Sequence, residues 1–383
     1  MDAATTRDPQ YTQPAKALYL AFELSAKTWK LGITVGFGQK ARERDVSAGD
    51  LLTLQKEIDQ AKKRFGLPPD VPVYSCYEAG RDGFWIHRAL VEMGVDNVVV
   101  DPSSIEVPRR KRRAKTDRLD VHKLLKLLLR YHLGEPKVWS VVRVPSVEDE
   151  DNRHLHRELL ALKRERTQHI NRIKGLLAGV GVRLPLHLKT LQEQLEKARL
   201  WDGSTLPPAL HCRIRREHER LLCVQRQIVE LEGDRAECLK ECNSPAVQKA
   251  RKMSSLRGVG ANGSWLLSME LFSWRQFRNR RQVGAVSGLT ATPHDSGDQA
   301  REQGISKAGV VHVRSLAIEL AWAWLRFQPR SELSQWYAQR FGGGGRRLRR
   351  IGIVALARKL LIALWRWCEQ DILPAGAELK AAA

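Results

Sequence analysis

The sequence has few cysteines and lacks the features of several protein classes. Its 383 residues include six cysteines, none in the paired Cys-x-x-Cys spacing of structural zinc sites. We therefore expect reduced thiols in a cytosolic protein. The first ten residues are polar and partly acidic, so no signal peptide is expected. The apolar stretch 351–367 is interrupted by Arg358 and Lys359, so no membrane span is expected either.

Acidic residues are also in deficit. The chain has 43 Asp and Glu residues but 65 Lys and Arg residues, which gives a net charge of +22. The hydrophobic content of 43% is ordinary for a globular protein and argues against disorder. A folded protein with this excess of positive charge most often binds a polyanion, usually nucleic acid.

The first part of the chain, residues 1–145, has the pattern of a mixed α/β domain. Residues 18–24 and 29–35 both alternate apolar and polar side chains around a short polar link, which predicts an antiparallel hairpin. Further strands are predicted at 71–77 and 97–100, and helices at 49–65, 81–93 and 117–131. A hairpin followed by alternating strands and helices predicts a mixed sheet and is compatible with an RNase H-like fold.

The remainder of the chain is predicted to be mainly helical. Residues 146–245 hold two long charged helical segments that indicate a helical or coiled-coil arm, although a plain helical bundle would have the same pattern. Residues 246–383 form a predicted C-terminal domain with a helix-hairpin-helix-like turn at 256–260, a polar loop at 287–309 and two final helices. Gly258 and Gly260 in that turn would let backbone amides approach a phosphate.

Four carboxylates lie where metal chemistry would need them. Glu23 and Glu78 lie at strand ends, and Asp117 and Asp120 share one face of the first turn of a helix. Oxygen ligands of this kind suit Mg²⁺, and two such ions can activate a phosphoryl displacement. As structural alternatives, Glu78 could be a solvated charge at a strand end, and Asp117 and Asp120 could cap a helix. Asp101, also at a strand end, is a competing candidate for a metal ligand.

A dense basic run precedes the two aspartates. Seven of the eleven residues 108–118 are Lys or Arg, and we expect them to grip phosphates. A phosphodiester bound there would lie close to the metal ligands. The predicted nucleic-acid contacts in this run are Arg109, Arg110, Lys111, Arg112, Arg113 and Lys115.

Seven short motifs follow one another along the chain. They are Tyr77-Glu-Ala-Gly80, Lys115-Thr-Asp-Arg-Leu-Asp120, Leu256-Arg-Gly-Val-Gly260, Ser287-Gly-Leu-Thr290, Ser296-Gly297, Gly304-Ile-Ser-Lys-Ala-Gly309 and Ala355-Leu-Ala-Arg-Lys-Leu360. In this order they resemble the DEDD transposases of insertion sequences, the IS-one-ten/IS-eleven-eleven group. The resemblance covers about residues 17–371.

The resemblance implies a RuvC-like catalytic domain with four Mg²⁺-binding acids and a C-terminal transposase domain with a nucleophilic serine. The first acid falls on Glu23, where the family usually has aspartate. The second, third and fourth acids fall on Glu78, Asp117 and Asp120. The serine falls on Ser296, which would form a covalent link to DNA. Lys307, in one of the motifs, is a further candidate contact to nucleic acid.

The resemblance also implies partners. Such enzymes use a non-coding bridge RNA that pairs with donor and target DNA, and they assemble as homo-oligomers, dimers or tetramers. We expect a cytoplasmic, nucleoid-associated bacterial protein without a membrane partner. Two alternatives remain: a RuvC-like metal-dependent nuclease of the junction-resolvase type, and a nucleic-acid-binding protein whose catalysis has decayed.

Overall fold

The computed structural model describes residues 16–105, 117–135, 137–296 and 299–381, with the backbone alone for 293–296 and 299–303. The chain divides into two compact units, residues 1–145 and 146–383. Within the described residues, no helix is both long and apolar enough to cross a membrane.

The first unit is built on one five-stranded mixed sheet with the strand order β3-β2-β1-β4-β5. Strands β1, β2 and β3 are antiparallel neighbours, whereas β4 and β5 run parallel to β1. The mixed α/β prediction is therefore confirmed. The strands are β1 (Leu18–Leu24), β2 (Thr28–Thr34), β3 (Arg42–Ser47), β4 (Val73–Glu78) and β5 (Asp96–Val100).

Helices cover both faces of this sheet. Alternate residues of β1, including Leu20 and Phe22, pack in one apolar core with α1 (Leu51–Arg64) and α2 (Trp85–Glu92). The residues between them, such as Ala21, pack in a second core with α3 (Asp117–His132). A sheet buried on both faces explains why its central strands have few polar residues.

Strand β3 was not predicted. Its sequence, Arg-Glu-Arg-Asp-Val-Ser, has only one buried side chain, that of Val46. An edge strand pairs through its backbone on one side only, so it needs little apolar periodicity. A pattern search for alternating apolar residues therefore passes over it.

The second unit is mainly helical. Its first half has α4 (Val147–Asp151), α5 (His154–Ala178), α6 (Leu191–Lys197) and α7 (Pro208–Glu241). Next come α8 (Pro245–Ser254), α9 (Ala261–Leu267), α10 (Arg280–Ser287), β6 (Ala291–Ser296) and β7 (Gln299–Ile305). The chain continues with α11 (Val311–Phe327), α12 (Glu332–Tyr337) and α13 (Arg346–Gln370).

The two long helices α5 and α7 pack antiparallel. Near the C-terminal end of α5, Arg172 contacts Glu217 in the first part of α7, and Lys163 contacts Glu232 much later in α7. Leu162 and Ile228 pack in the apolar seam between the helices. The boundary predicted between an arm and a C-terminal domain at residue 245 stays a prediction.

A buried carboxylate joins α5 to the segment after α9. Glu270, 1% exposed, lies in a π-helical turn at Ser268–Phe272. It accepts hydrogen bonds from His156 Nε2 at 2.9 Å and from Arg157 Nε at 2.7 Å. Burial alone would raise the pKa of this carboxyl, but the bonds from His156 and Arg157 outweigh it and lower the pKa to about 2.

Glu270→Gln is expected to lower the free energy of unfolding at pH 7 by about 3 kcal/mol. The folded pKa is depressed, so the carboxylate stabilises the fold above its unfolded pKa of about 4.5 and this contribution disappears as the pH falls toward 2. Urea unfolding at several pH values measures both effects. The exposed Glu219→Gln is the control, and equal losses of stability in the two variants would contradict the account.

Candidate active site

Two glutamates lie side by side at the carboxyl end of the sheet. The parallel pair β1 and β4 joins Phe22 to Tyr77, so Glu23 and Glu78 follow at one level. Because side chains alternate along a strand, both carboxylates belong to the face that α3 covers. Both are partly buried and line one cavity of about 270 Å³.

Helix α3 begins at this same end of the sheet. Near its start, Val121 packs on Gly32 of β2, which pairs with β1 two residues before Glu23. At its end, the ring of His132 lies 3.9 Å from that of Tyr74, near the start of β4. The helix therefore runs antiparallel to β1, and its first turn lies toward the carboxyl end.

Asp117 and Asp120 lie in that first turn, where Asp117 is exposed and Asp120 is partly buried. The four predicted ligands thus belong to one end of the sheet. Only the two glutamates are placed side by side. Within the described residues, no three or more His, Cys, Asp or Glu side chains are grouped closely enough to hold a metal ion.

Glu43 on β3 orients the start of α3, and sequence analysis missed it. Its Oε1 accepts a hydrogen bond from Arg118 Nε at 2.8 Å and contacts His122 Nε2 at 2.8 Å. The bond with His122 lowers the pKa of the Glu43 carboxyl. This ion pair ties the turn that carries both aspartates to the sheet edge. No sequence signal marks Glu43, because the strand that carries it was itself not predicted.

Asp101, the competing ligand, has a structural role. Its Oδ1 accepts hydrogen bonds from the Ser103 amide at 2.9 Å and the Ser103 hydroxyl at 2.7 Å, and so caps a short 3₁₀ turn. Asp101 and Pro102 therefore belong to a turn. The predicted phosphate contacts Arg109, Arg110, Lys111, Arg112, Arg113 and Lys115 lie outside the described residues.

Ser296 lies at the end of a strand, not in an irregular loop. Strands β6 and β7 form an antiparallel hairpin that pairs Ala291 with Ile305 and Ser296 with Gln299. The loop prediction for 287–309 was wrong in this part. The strands, Ala-Thr-Pro-His-Asp-Ser and Gln-Ala-Arg-Glu-Gln-Gly-Ile, have almost no apolar alternation, so periodicity gave no signal.

Two glycines of the recognised motifs build the base of this hairpin. Gly288 has φ +68°, and a Cβ there would lie 2.0 Å from the Ala308 carbonyl oxygen. Gly309 has φ +96°, and a Cβ would lie 2.1 Å from the Val286 carbonyl oxygen. The Lys307 amide also donates to the Gly288 carbonyl at 3.2 Å. Only glycine permits backbones to approach this closely.

The predicted glycine turn lies between α8 and α9. Gly258 has φ +84°, and a Cβ there would lie 3.3 Å from the Ala323 carbonyl oxygen of α11, so packing and backbone geometry both require glycine. Gly260 is exposed, and a Cβ added there would meet open space. Lys380 Nζ donates to the Val259 carbonyl at 3.0 Å, so the C-terminal segment covers part of the turn.

A sheet end with paired carboxylates and an arginine-rich helical unit are features of enzymes that process nucleic acids. Comparison with known proteins gives the particular family. Residues 250–335 match the family described as "Transposase IS116/IS110/IS902 family".

Whole-chain similarity agrees. A Sinorhizobium fredii protein named as a transposase, y4rJ, is 40% identical over 380 residues, which cover 95% of both chains. The transposase for insertion sequence element IS1111A of Coxiella burnetii is 28% identical over 63% of this chain and 62% of its own length. The corresponding protein for IS1328 of Yersinia enterocolitica is 26% identical over 58% of this chain and 64% of its own length. The chain belongs to the IS116/IS110/IS902 family of insertion-sequence transposases.

Proposed function

We propose that the protein exchanges DNA strands through a covalent Ser296 link, assisted by Mg²⁺ held on Glu23, Glu78, Asp117 and Asp120. One observation carries the proposal: in a transposase chain, two carboxylates lie side by side at the ends of adjacent parallel strands. We also propose an RNase H-like fold for residues 1–145. Three antiparallel strands followed by two that are parallel to the first support it.

The proposed chemistry begins with the Ser296 hydroxyl. Its oxygen attacks a phosphodiester, an O–P bond to serine forms, and one P–O bond of the DNA breaks. The serine proton leaves, and the departing deoxyribose oxygen takes up a proton. The phosphoserine link preserves a phosphodiester, so a hydroxyl from a second strand can displace the serine without an external energy source.

The four acids supply oxygen ligands, which is the donor chemistry that Mg²⁺ prefers. When bound, Mg²⁺ would stabilise the charge that develops on the phosphate oxygens. The strand pair supplies two carboxylates whose direction the sheet determines. The hydrogen bond and ion pair between Glu43 and Arg118 hold the turn that carries Asp117 and Asp120 at the sheet edge.

We further propose that a bridge RNA pairs with donor and target DNA and that the active form is a homo-oligomer. The net charge of +22 supports simultaneous binding of two polyanions. Purification from the native host followed by sequencing of co-purified nucleic acid tests the RNA. One discrete RNA species is expected, and a mixture that mirrors total cellular RNA would contradict the proposal.

A metal-dependent nuclease is the second candidate, because paired carboxylates at a strand end suffice in principle for hydrolysis. The two functions differ in their need for the serine. If Ser296→Ala leaves strand cleavage intact while Asp117→Ala abolishes it, the protein is a nuclease. If neither substitution alters anything and the protein only binds, its catalysis has decayed.

The basic run is expected to contact phosphates. Replacing Arg109, Arg110, Arg112 and Arg113 with glutamine should weaken DNA binding and flatten the plot of log K against log salt by about 0.9 for each phosphate that is no longer neutralised. Filter binding at several salt concentrations measures both. Arg213→Gln with Arg216→Gln, on the exposed face of α7, is the control. An unchanged slope in the fourfold variant would show that the run faces solvent.

A further inference from the structure

A large cavity in the second unit is strongly cationic. It has a volume of about 1210 Å³ and lies among α10, the β6–β7 hairpin, α12 and the part of α13 that ends at Ile362. Eight arginine and lysine side chains line it, among them Arg281, Arg347 and Arg350. Among the lining residues whose side chains the structure describes, none is Asp or Glu.

These cations are available to a ligand. Arg347, Arg350 and Lys359 are exposed, and none of the eight cations forms an ion pair with a carboxylate that the structure describes. Arg358 is held against α10, where a Cβ on Gly284 would lie 3.0 Å from its Nε. So many like charges on one cavity repel one another and favour an anionic occupant.

The cavity also has an apolar floor. Ile305 and Ile362 contribute aliphatic surface, and the partly buried indole of Trp336 adds an aromatic ring. Lys359 Nζ lies 4.6 Å from the centre of that ring. A free phosphate or a double helix would use the cations alone. An occupant that also uses the floor must present planar apolar groups next to its charges.

We infer that this cavity binds a short single-stranded segment of DNA, with phosphates on the arginines and an unpaired base against the floor near Trp336. Duplex DNA hides its base faces in stacking, whereas a single strand exposes them. This inference rests on the proposed function only in taking DNA as the polyanion.

The cavity lies at the base of the hairpin that carries Ser296, which supports a path for a DNA strand from the cavity toward Ser296. Ala291 and Ile305, the paired first and last residues of the hairpin, line the cavity. The backbone of β6 then rises about 3.4 Å per residue toward Ser296, a span of about 17 Å. A strand released from its duplex at the serine could therefore be held in the cavity at the hairpin base.

The test measures binding to three probes without Mg²⁺: a 12-nucleotide single-stranded DNA, the same sequence as a duplex, and the same sequence as single-stranded RNA. Arg347→Gln with Arg350→Gln should flatten the salt slope for single-stranded DNA by about 1.4, or about 0.7 for each phosphate released. Trp336→Leu should weaken single-stranded DNA binding by about 5-fold to 100-fold and leave duplex binding within about 2-fold. Arg213→Gln with Arg216→Gln removes the same charge from α7. This control should change neither the salt slope nor the affinity for single-stranded DNA.

Photocrosslinking gives a readout that does not depend on variants that fold poorly. Single-stranded DNA with 5-iododeoxyuridine should crosslink wild-type protein at or beside Trp336, as mapped by mass spectrometry. The inference would be overturned by crosslinks that lie only elsewhere in the chain. It would also be overturned if Trp336→Leu weakened binding of single-stranded and duplex DNA equally, or weakened only the binding of RNA. Because no probe is cleaved, the proposed serine chemistry can fail while the cavity still binds, and the reverse also holds.

Discussion

Ser296→Ala is expected to abolish strand exchange and every covalent protein–DNA adduct while DNA binding stays within about 2-fold of wild type. The hydroxyl oxygen is the proposed nucleophile, and alanine offers no atom that can form the bond to phosphorus. Loss of a nucleophile removes about a millionfold in other covalent enzymes, so residual exchange should be undetectable. Excision and joining of a mini-element in cells, together with adduct gels, measure the loss.

Ser306→Ala is the matched control. Ser306 is an exposed hydroxyl at the base of the same hairpin, where its Oγ lies 3.3 Å from Thr290 Oγ1. It should retain exchange and adducts at near wild-type levels. If adducts persist in Ser296→Ala but vanish in Ser306→Ala, the nucleophile is Ser306 and the proposed role of Ser296 is wrong.

Glu78→Gln and Asp117→Asn are each expected to lower strand exchange by about a hundredfold to a thousandfold, the scale of losing one group that stabilises transition-state charge. Both substitutions keep the size of the side chain and remove the anionic oxygen that Mg²⁺ needs. Folding and DNA binding should be unchanged. Rates measured against Mg²⁺ concentration should also show a higher requirement for the metal in any residual activity.

Asp101→Asn is the control for the carboxylates, because asparagine can still accept the hydrogen bonds that cap the 3₁₀ turn. Its activity should be near wild type. Glu23→Asp should remain active, since aspartate keeps the carboxylate that would bind the metal, whereas Glu23→Gln should not. Full activity in Glu78→Gln or Glu23→Gln would contradict a role for the glutamate pair.

Most of the first unit was predictable because its buried strands have alternating apolar side chains. β1 and β2 lie at the centre of the sheet, so their apolar faces are visible in the sequence, and the predicted bounds agree with the structure to within a residue or two. Polar strands were not predictable in this way. β3 and the β6–β7 hairpin form through backbone pairing with few apolar side chains, so they leave no periodic apolar signal in the sequence.

The candidate site was predictable in part. Strand ends located Glu23 and Glu78, but their adjacency follows from the parallel pairing of β1 with β4, which no local pattern encodes. Glu43 was missed because its role is to hold Arg118 and His122, 75 and 79 residues away in sequence. The cationic cavity likewise gathers arginines from segments that are separated in the chain.

Mapping a covalent adduct tests the central claim most directly. Wild-type protein is incubated with donor DNA and Mg²⁺, denatured, digested with nuclease and trypsin, and analysed by mass spectrometry. The account predicts a nucleotide phosphate on Ser296, absent in Ser296→Ala and strongly reduced in Glu78→Gln. Cleaved DNA with no modified serine at any time point would contradict it, because water, and not the protein, would then be the attacking group.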